Sequence, residues 1–526
     1  MNDHTVLDLS ADEAFGFFMD EKAFSNLHLP PYFTFKDILE EAYKIIKNNL
    51  NQANPIKSFF KKNSSPKITG LSSHSVIVNK DANLAWRSIS LHDPIIYVGL
   101  VSIITKPENW TKLCARFGEL KHNSTIECCS LPVVPVSKKN NLQAAQISNW
   151  LSKIEQRSLI LAMEYSHLCI TDISNCYPSI YVHSISWALN GKNEAKSKIA
   201  NNSKDKNELS SLIEEYIMYM TYGQTNGIPP GSALMDFIVE LVFAYIDREY
   251  YLRLNEHCID CQCRVLRYRD DYRIFSNNEH NCNIALKLLS DTLLEFGLHL
   301  NANKTIETTN LIRYSIKQDK FTVIVDGLKQ DMHFALQNRD KILSAHAIRR
   351  YLIRVYDFAD KHPNSLQTKG LLNFILSHMA SITDEEMRDS CISLVVNLAV
   401  KNVSIFDSAM AFISSLIPNL TPTLYEDIAS KILAKFHDIP NTDLLEVWLQ
   451  RICPQKQKYT NFKAKLCHCV MFPDKLPWTF EWLKDGKSKQ RILKKSIVDI
   501  NDPSYKSTSI HESEIDIFSP FYKEYP

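Results

Sequence analysis

Glycine is scarce in this chain, with 12 in 526 residues, while 45% are hydrophobic; that balance favours a well-packed, helix-rich globular protein. No run of apolar residues approaches the length of a membrane span, which excludes an integral membrane protein. No glycine-rich phosphate loop followed by Lys-Ser or Lys-Thr occurs, so no ATPase of that type is expected. The N-terminal MNDHTVLDLSADEAF is acidic and polar and lacks the charged-then-apolar layout of an export signal. The 13 cysteines therefore read as reduced thiols of a cytoplasmic protein. Net charge is also nearly absent, at +1, but the mean hides two basic stretches. One spans Ala42 to Lys80, with seven lysines and no acid; the other spans Lys484 to Lys495, with Asp485 alone opposing it. Either is a solvated face or a field that attracts a phosphate backbone.

What the chain does contain is acid in an unusual setting. Tyr268-Arg269-Asp270-Asp271 lies between the alternating runs Arg264–Tyr268 and Tyr272–Phe275, which reads as a β-hairpin with the acidic pair at its tip. Upstream, Asp172 falls in the strand-like, mostly apolar segment Leu168–Ile173, where a carboxylate is expensive to bury unless it is paired or metal-bound. Three carboxylates from separate strands are the hard oxygen ligands that two Mg²⁺ ions need for nucleotidyl transfer, with Mn²⁺ as a substitute.

Patterning divides the chain into four parts. Residues 1–140 mix helix and extended segments, with helical spacing from Phe35 to Leu50. Residues 141–335 alternate strand and helix: a helix opens near Pro178, residues 190–209 form an exposed connection, and Gly231–Tyr250 is a long amphipathic helix. Another helix, Ile284–Phe296, closes at Gly297, where a left-handed residue is expected. Residues 336–500 are successive helices joined by short turns, either a stacked α-repeat or a bundle. Residues 501–526 are a polar, loosely held tail. His257-Cys258, Cys261, Cys263, His280 and Cys282 look like half a zinc site. That cluster runs straight into the acidic hairpin, so packing thiols are expected instead.

Four segments fall in a telling order: Leu168–Ile180 around Asp172, Gln224–Leu234 around Pro229-Pro230-Gly231, Tyr268–Asp271, and Gly297–Thr305 with Lys304. This resembles palm motifs A to D of the reverse transcriptases, and Trp86–Pro94 with Tyr97 looks like their fingers segment. The wording is nearest to bacterial reverse transcriptases of the abortive-infection and unknown-group type, which act in antiphage defence and append an α-helical domain. The resemblance implies that Asp172 and Asp270 hold both metals with the Ile173 carbonyl, and that Asp271 assists. It makes Tyr177 the steric gate against a ribose 2′-hydroxyl, and it makes Lys80 and Arg87 the ligands of the incoming triphosphate. Gly231 and Ser232 lie beside the nucleotide, and Lys304 meets the leaving pyrophosphate. Two departures stand out: motif B carries Pro230 where the family has Gln, and Arg269 fills a position that is usually small or apolar.

The expected fold is thus α+β, a right-hand polymerase core of fingers and palm followed by an all-α, repeat-like C-terminal domain. The expected activity is RNA-directed DNA synthesis from dNTPs. Expected partners are an RNA template or noncoding RNA, the DNA product, and a second copy of the chain or a companion defence protein; no membrane is involved. The rival readings are a retron-type or intron-type reverse transcriptase and a catalytically weak polymerase that serves as a scaffold.

Overall fold

The computed structural model describes residues 4–61, 73–79, 86–121, 125–134, 153–201, 203, 205–257, 259, 262–328, 343–379, 382, 384–417, 420–458 and 461–515. Two sheets appear among them. Strands β1 (His74–Asn79) and β2 (Trp86–Leu91) form an antiparallel pair near the N-terminus. The second sheet contains β3 (Ile126–Cys128), β4 (His167–Asp172), β5 (Cys263–Tyr268), β6 (Asp271–Ser276) and β7 (Ile306–Thr308), in the order β3-β5-β6-β4-β7. All its pairings are antiparallel except β3 with β5.

Strand alternation explains how this sheet is held. Cys169, Val265 and Ile274 point into the main core, while their neighbours Leu168, Leu266 and Phe275 point into a smaller cluster with Ile154, Leu161 and Leu311. The sheet is therefore packed on both faces. Helix Glu279–Leu294 covers β4, β5 and β6, and helix Ala233–Glu256 packs against that helix and against β3. The second of these was expected to be amphipathic. It is instead buried on all sides from Ala233 to Phe243, because helices Glu21–Phe24, Pro107–Leu120, Ser184–Asn190 and Glu279–Leu294 surround it.

Local signals set the ends of these elements. Asp93 accepts the Ile95 and Ile96 amides at 2.9 and 3.2 Å, with Pro94 at the first position, and so opens the fully buried helix Pro94–Ile104. Gly297 has φ +73°, the left-handed conformation expected after the helix that ends at Leu294. The expected connection at 190–209 contains a helix instead, Lys192–Ala200. Two carboxylates, Glu194 within it and Glu208 beyond it, take Lys198 at 3.0 and 3.1 Å and give a polar segment internal support.

Beyond residue 343 the described chain is helical, from Ala345–Lys361 through Gly486–Leu493. This region folds back onto the N-terminal part. Trp448, Trp478 and Trp482 donate their indole N–H groups to the His28 carbonyl, the Leu91 carbonyl and Asp93 Oδ2 at 3.1, 2.9 and 3.1 Å. Single bridges join Phe33 to Val498 and Phe60 to Leu483, and one core cluster runs from Val6 to Ile515. Two expectations change as a result. The tail is docked as far as residue 515: fully buried Arg451 pairs with Glu514 at 2.9 Å and donates to the Ser507 and Ser509 carbonyls. The basic run 484–495 is partly neutralised, with Arg491 and Lys495 facing Glu41 at 2.7 and 3.7 Å and Lys489 facing Glu481 at 2.6 Å.

Candidate active site

The register of the palm sheet brings the three carboxylates together. Asp172, the last residue of β4, stands opposite Asp271, the first residue of β6, and Tyr268 faces Asp271 from β5. Arg269 and Asp270 make the two-residue turn between β5 and β6, with Arg269 at φ +55°. That left-handed conformation is uncommon for a residue with a Cβ, and it marks a turn under local strain. The Asp270 carbonyl accepts the Ile173 amide at 3.1 Å, which ties the turn to the end of β4. On the other side the Asp172 carbonyl accepts the Asn301 amide at 2.8 Å, and the His299 carbonyl accepts the Ser174 amide at 2.9 Å. These bonds carry Lys304, in the 3₁₀ turn Ala302–Lys304, into direct contact with Asp172 Oδ2.

The electrostatics describe a site in want of positive charge. Burial raises the Asp270 carboxyl above its ordinary range. Burial also raises Asp271, to about 6, with the neighbouring Asp270 charge adding to it. Lys304 is raised by its hydrogen bond to Asp172. Asp172 Oδ1 is buried and has no hydrogen-bond partner. Among the described residues no three His, Cys, Asp or Glu side chains already form a closed cage for an ion. The orphaned Asp172 oxygen, the crowded carboxyls and the lysine ammonium beside them fit a site that takes divalent cations.

A pH dependence follows from Asp271. Its folded-state value lies above the ordinary carboxylate value of 3.8, so ionisation costs the fold stability. That cost is absent below the unfolded value, builds as pH rises, and is complete above about 6. In chelator, Asp271→Asn should therefore raise the melting temperature more at pH 7.5 than at pH 4.5. Equal gains at both pH values would contradict the shift.

Motifs A and B are stitched to each other and to the β1–β2 pair. Tyr177 lies in the short helix Cys176–Ser179, and its carbonyl accepts the Ile228 amide at 3.0 Å. The Pro230 carbonyl accepts the Ser90 amide at 2.7 Å, and the Gly231 carbonyl accepts the Asn26 amide at 2.7 Å. Gly231 has φ +144°, and a Cβ there would stand 2.3 Å from the Ser90 carbonyl oxygen, so only glycine fits this approach. Ser232 is fully buried, and its hydroxyl accepts the Met235 amide at 3.3 Å as the cap of helix Ala233–Glu256. Its hydroxyl thus serves the helix end. Arg87 is exposed on β2, close enough for its charge to favour ionised Asp270, whereas Lys80 lies outside the described residues. Cys258 and Cys261 of the supposed zinc cluster also lie outside them, while Cys263 and Cys282 donate to the Ile259 and Ile274 carbonyls.

Sequence reasoning missed the acids of helix Ala233–Glu256. Asp236 accepts the Tyr177 hydroxyl at 2.7 Å and the Arg269 guanidinium at 3.0 Å. Behind the turn, buried Arg267 bonds to Glu240 at 2.9 Å and to Asp247 at 2.7 Å. The available signal was a set of charges at 236, 240 and 247 in a run otherwise apolar enough to be core.

Residues 136–324 match the family model described as reverse transcriptase (RNA-dependent DNA polymerase). The matched segment carries Asp172, Asp270 and Asp271. Its architecture is mixed α and β, helix-rich and followed by a helical C-terminal region. Among solved structures, apo telomerase from Candida tropicalis truncated from its C-terminal domain is similar at TM-score 0.29 and 13% identity, over 46% of this chain and 50% of that one. Apo telomerase from the same organism gives 0.30 and 11%, over 77% and 72%. Telomerase from Candida albicans in complex with a fragment of telomeric RNA gives 0.28 and 11%, over 72% and 66%. The chain thus spans half the length of the first of these. No curated protein matches it. No described helix is long and apolar enough to cross a membrane.

Proposed function

We propose that this chain is an RNA-directed DNA polymerase that adds dNTPs to a 3′-hydroxyl, or to a protein hydroxyl where no nucleic-acid primer is used. The observation that carries this reading is the register pairing of Asp172 with Asp271, with Asp270 on the adjoining turn and a buried Asp172 oxygen left without a partner. Asp172, Asp270, Asp271 and the Ile173 carbonyl would hold two divalent ions, Mg²⁺ or Mn²⁺. Such ions, when bound, supply Lewis-acid stabilisation of the charge that develops on the phosphoryl group and pyrophosphate. Lys304, whose ammonium is favoured by its hydrogen bond to Asp172, would offer its charge and proton to the departing pyrophosphate. Arg87 offers a planar, two-pronged donor to the triphosphate, with Lys80 as its partner charge.

Tyr177 is the sugar gate in this reading. It is 9% exposed and fixed by its hydroxyl, so its ring is held in one place. Tyr177→Ala should let rNTPs in, lowering the dNTP/rNTP preference by about a hundredfold, the scale of a steric clash of a few kcal/mol. Competition between labelled dNTPs and rNTPs reads this directly, and an unchanged ratio demotes Tyr177 to a packing residue.

The domain division is 1–140 for the N-terminal segment and fingers, 141–335 for the palm, 336–500 for the repeat-like helical part, and 501–526 for the tail. The motif wording and the appended helical region support a cytoplasmic role in bacterial antiphage defence. RNA, DNA product and a second copy or companion defence protein are the partners. The decisive experiment is dNTP incorporation by the full chain with and without an RNA template, in Mg²⁺ and in Mn²⁺. No incorporation under any of these conditions would favour the scaffold reading.

A further inference from the structure

Asp236 is 5% exposed, in the first turn of helix Ala233–Glu256, and its two carboxylate oxygens serve two different elements. Oδ1 accepts the hydroxyl of Tyr177, at the opening of the short helix after β4, at 2.7 Å. Oδ2 accepts the guanidinium of Arg269, on the turn between β5 and β6, at 3.0 Å. One side chain of helix Ala233–Glu256 therefore joins Tyr177 to the residue next to the acidic pair. Both bonds are charge-assisted, roughly twice as strong as neutral ones, and both are largely shielded from water.

The two halves of this arrangement have separate consequences. For Tyr177, the bond adds a directional constraint at the hydroxyl to a ring that is packed in the main core. For Arg269, the turn anchors the backbone, since its amide donates to Ser130 Oγ at 2.9 Å and its carbonyl accepts from Arg267 at 3.3 Å. Its side chain is taken up by Asp236 while its charge still reaches Asp270 beside it on the turn. A guanidinium that lost this carboxylate would have Asp270, whose ionised form its charge already favours, among its alternative partners, in competition with any cation held there.

We propose that Asp236 is a positioning residue that sets sugar selectivity through Tyr177 and keeps Arg269 off the catalytic carboxylates. Asp236 touches neither substrate nor reacting atoms in this arrangement, and its effects pass through those two partners. The inference rests on the polymerase reading above and extends it to a residue outside the acidic triad.

The test uses the full-length chain and four variants: Asp236→Ala, Tyr177→Phe, Arg269→Ala and the double variant Asp236→Ala/Arg269→Ala. Two quantities are measured, the dNTP/rNTP preference in competition and the Mn²⁺ concentration giving half-maximal incorporation. Asp236→Ala should lower the preference about tenfold, the scale of one charge-assisted hydrogen bond, and raise the Mn²⁺ requirement. Tyr177→Phe, which loses only the hydroxyl, should lower the preference and leave the Mn²⁺ requirement alone. The double variant should return the Mn²⁺ requirement towards that of Arg269→Ala while the preference stays low, because the two effects have different carriers. A merely structural Asp236 would lower total activity without this division. Wild-type values of both quantities in Asp236→Ala overturn the proposal, as does an unchanged preference in Tyr177→Phe, which remains measurable even if the alanine variants fail to fold. An inactive wild-type chain would instead remove the polymerase reading itself.

Discussion

Replacing Asp270 by alanine is expected to cut dNTP incorporation by about a thousandfold or more while leaving the protein folded. Losing one carboxylate of a two-metal site removes several kcal/mol of transition-state stabilisation, at roughly 1.4 kcal/mol per factor of ten. Asp172→Ala should do the same, since Asp172 stands beside the hairpin turn and holds the orphaned oxygen. The fold should not suffer in the Asp270 variant, because burial makes that carboxylate costly to ionise in the metal-free protein. Asp270→Ala should therefore melt at the wild-type temperature or above it in chelator. Incorporation near the wild-type rate in either variant would place the chemistry elsewhere. Asp271→Asn should be milder, as that group is expected only to assist.

Ending the chain at residue 335 should abolish folded protein, a second large effect. The metal ligands would all remain, so a purely chemical argument predicts survival. The packing argues otherwise. Trp478 and Trp482 are buried between the C-terminal region and the first hundred residues, and their indole groups satisfy Leu91 and Asp93 at the start of a fully buried helix. Removing a single buried tryptophan costs about 3–5 kcal/mol, a large part of the net stability of a typical domain. Removing the whole covering layer exposes Tyr32, Phe33, Phe35 and Tyr97 as well. Soluble yield and cooperative thermal unfolding of the truncation, beside the point variant Trp482→Ala, measure this. A soluble truncation with a sharp melting transition would show that the two parts are independent. Charge reversal at Lys487, Lys489 and Arg491 in the full chain is the gentler probe of the basic run. The pairings with Glu41 and Glu481 predict that part of its effect is a loss of docking, not only of nucleic-acid binding.

Much of the site was legible because its signals are short-range. Alternation around Tyr268–Asp271 announces a hairpin, since successive residues of a strand face opposite sides. An acid in the apolar segment Leu168–Ile173 announces a group with a purpose, because burying it otherwise costs too much. Gly297 and the helices on either side of the hairpin follow from local caps and periodicity.

The sequence by itself therefore determined the order of the motifs, the type of most elements and the identity of the acidic residues. Only the tertiary structure decided which partners those residues take. Arg269 is next to Asp270 in the chain, yet its side chain answers to Asp236 on a helix thirty-odd residues earlier. Arg491 and Lys495 read as a free basic run, yet they face Glu41. Ser232 follows the motif B glycine in the chain, and its hydroxyl takes the Met235 amide as a helix cap inside the core. The physical reason is common to all three. Periodicity and propensity act over one or two turns of backbone, whereas the partner of a charge or hydroxyl is whatever the packing of distant elements brings within about 3 Å of it.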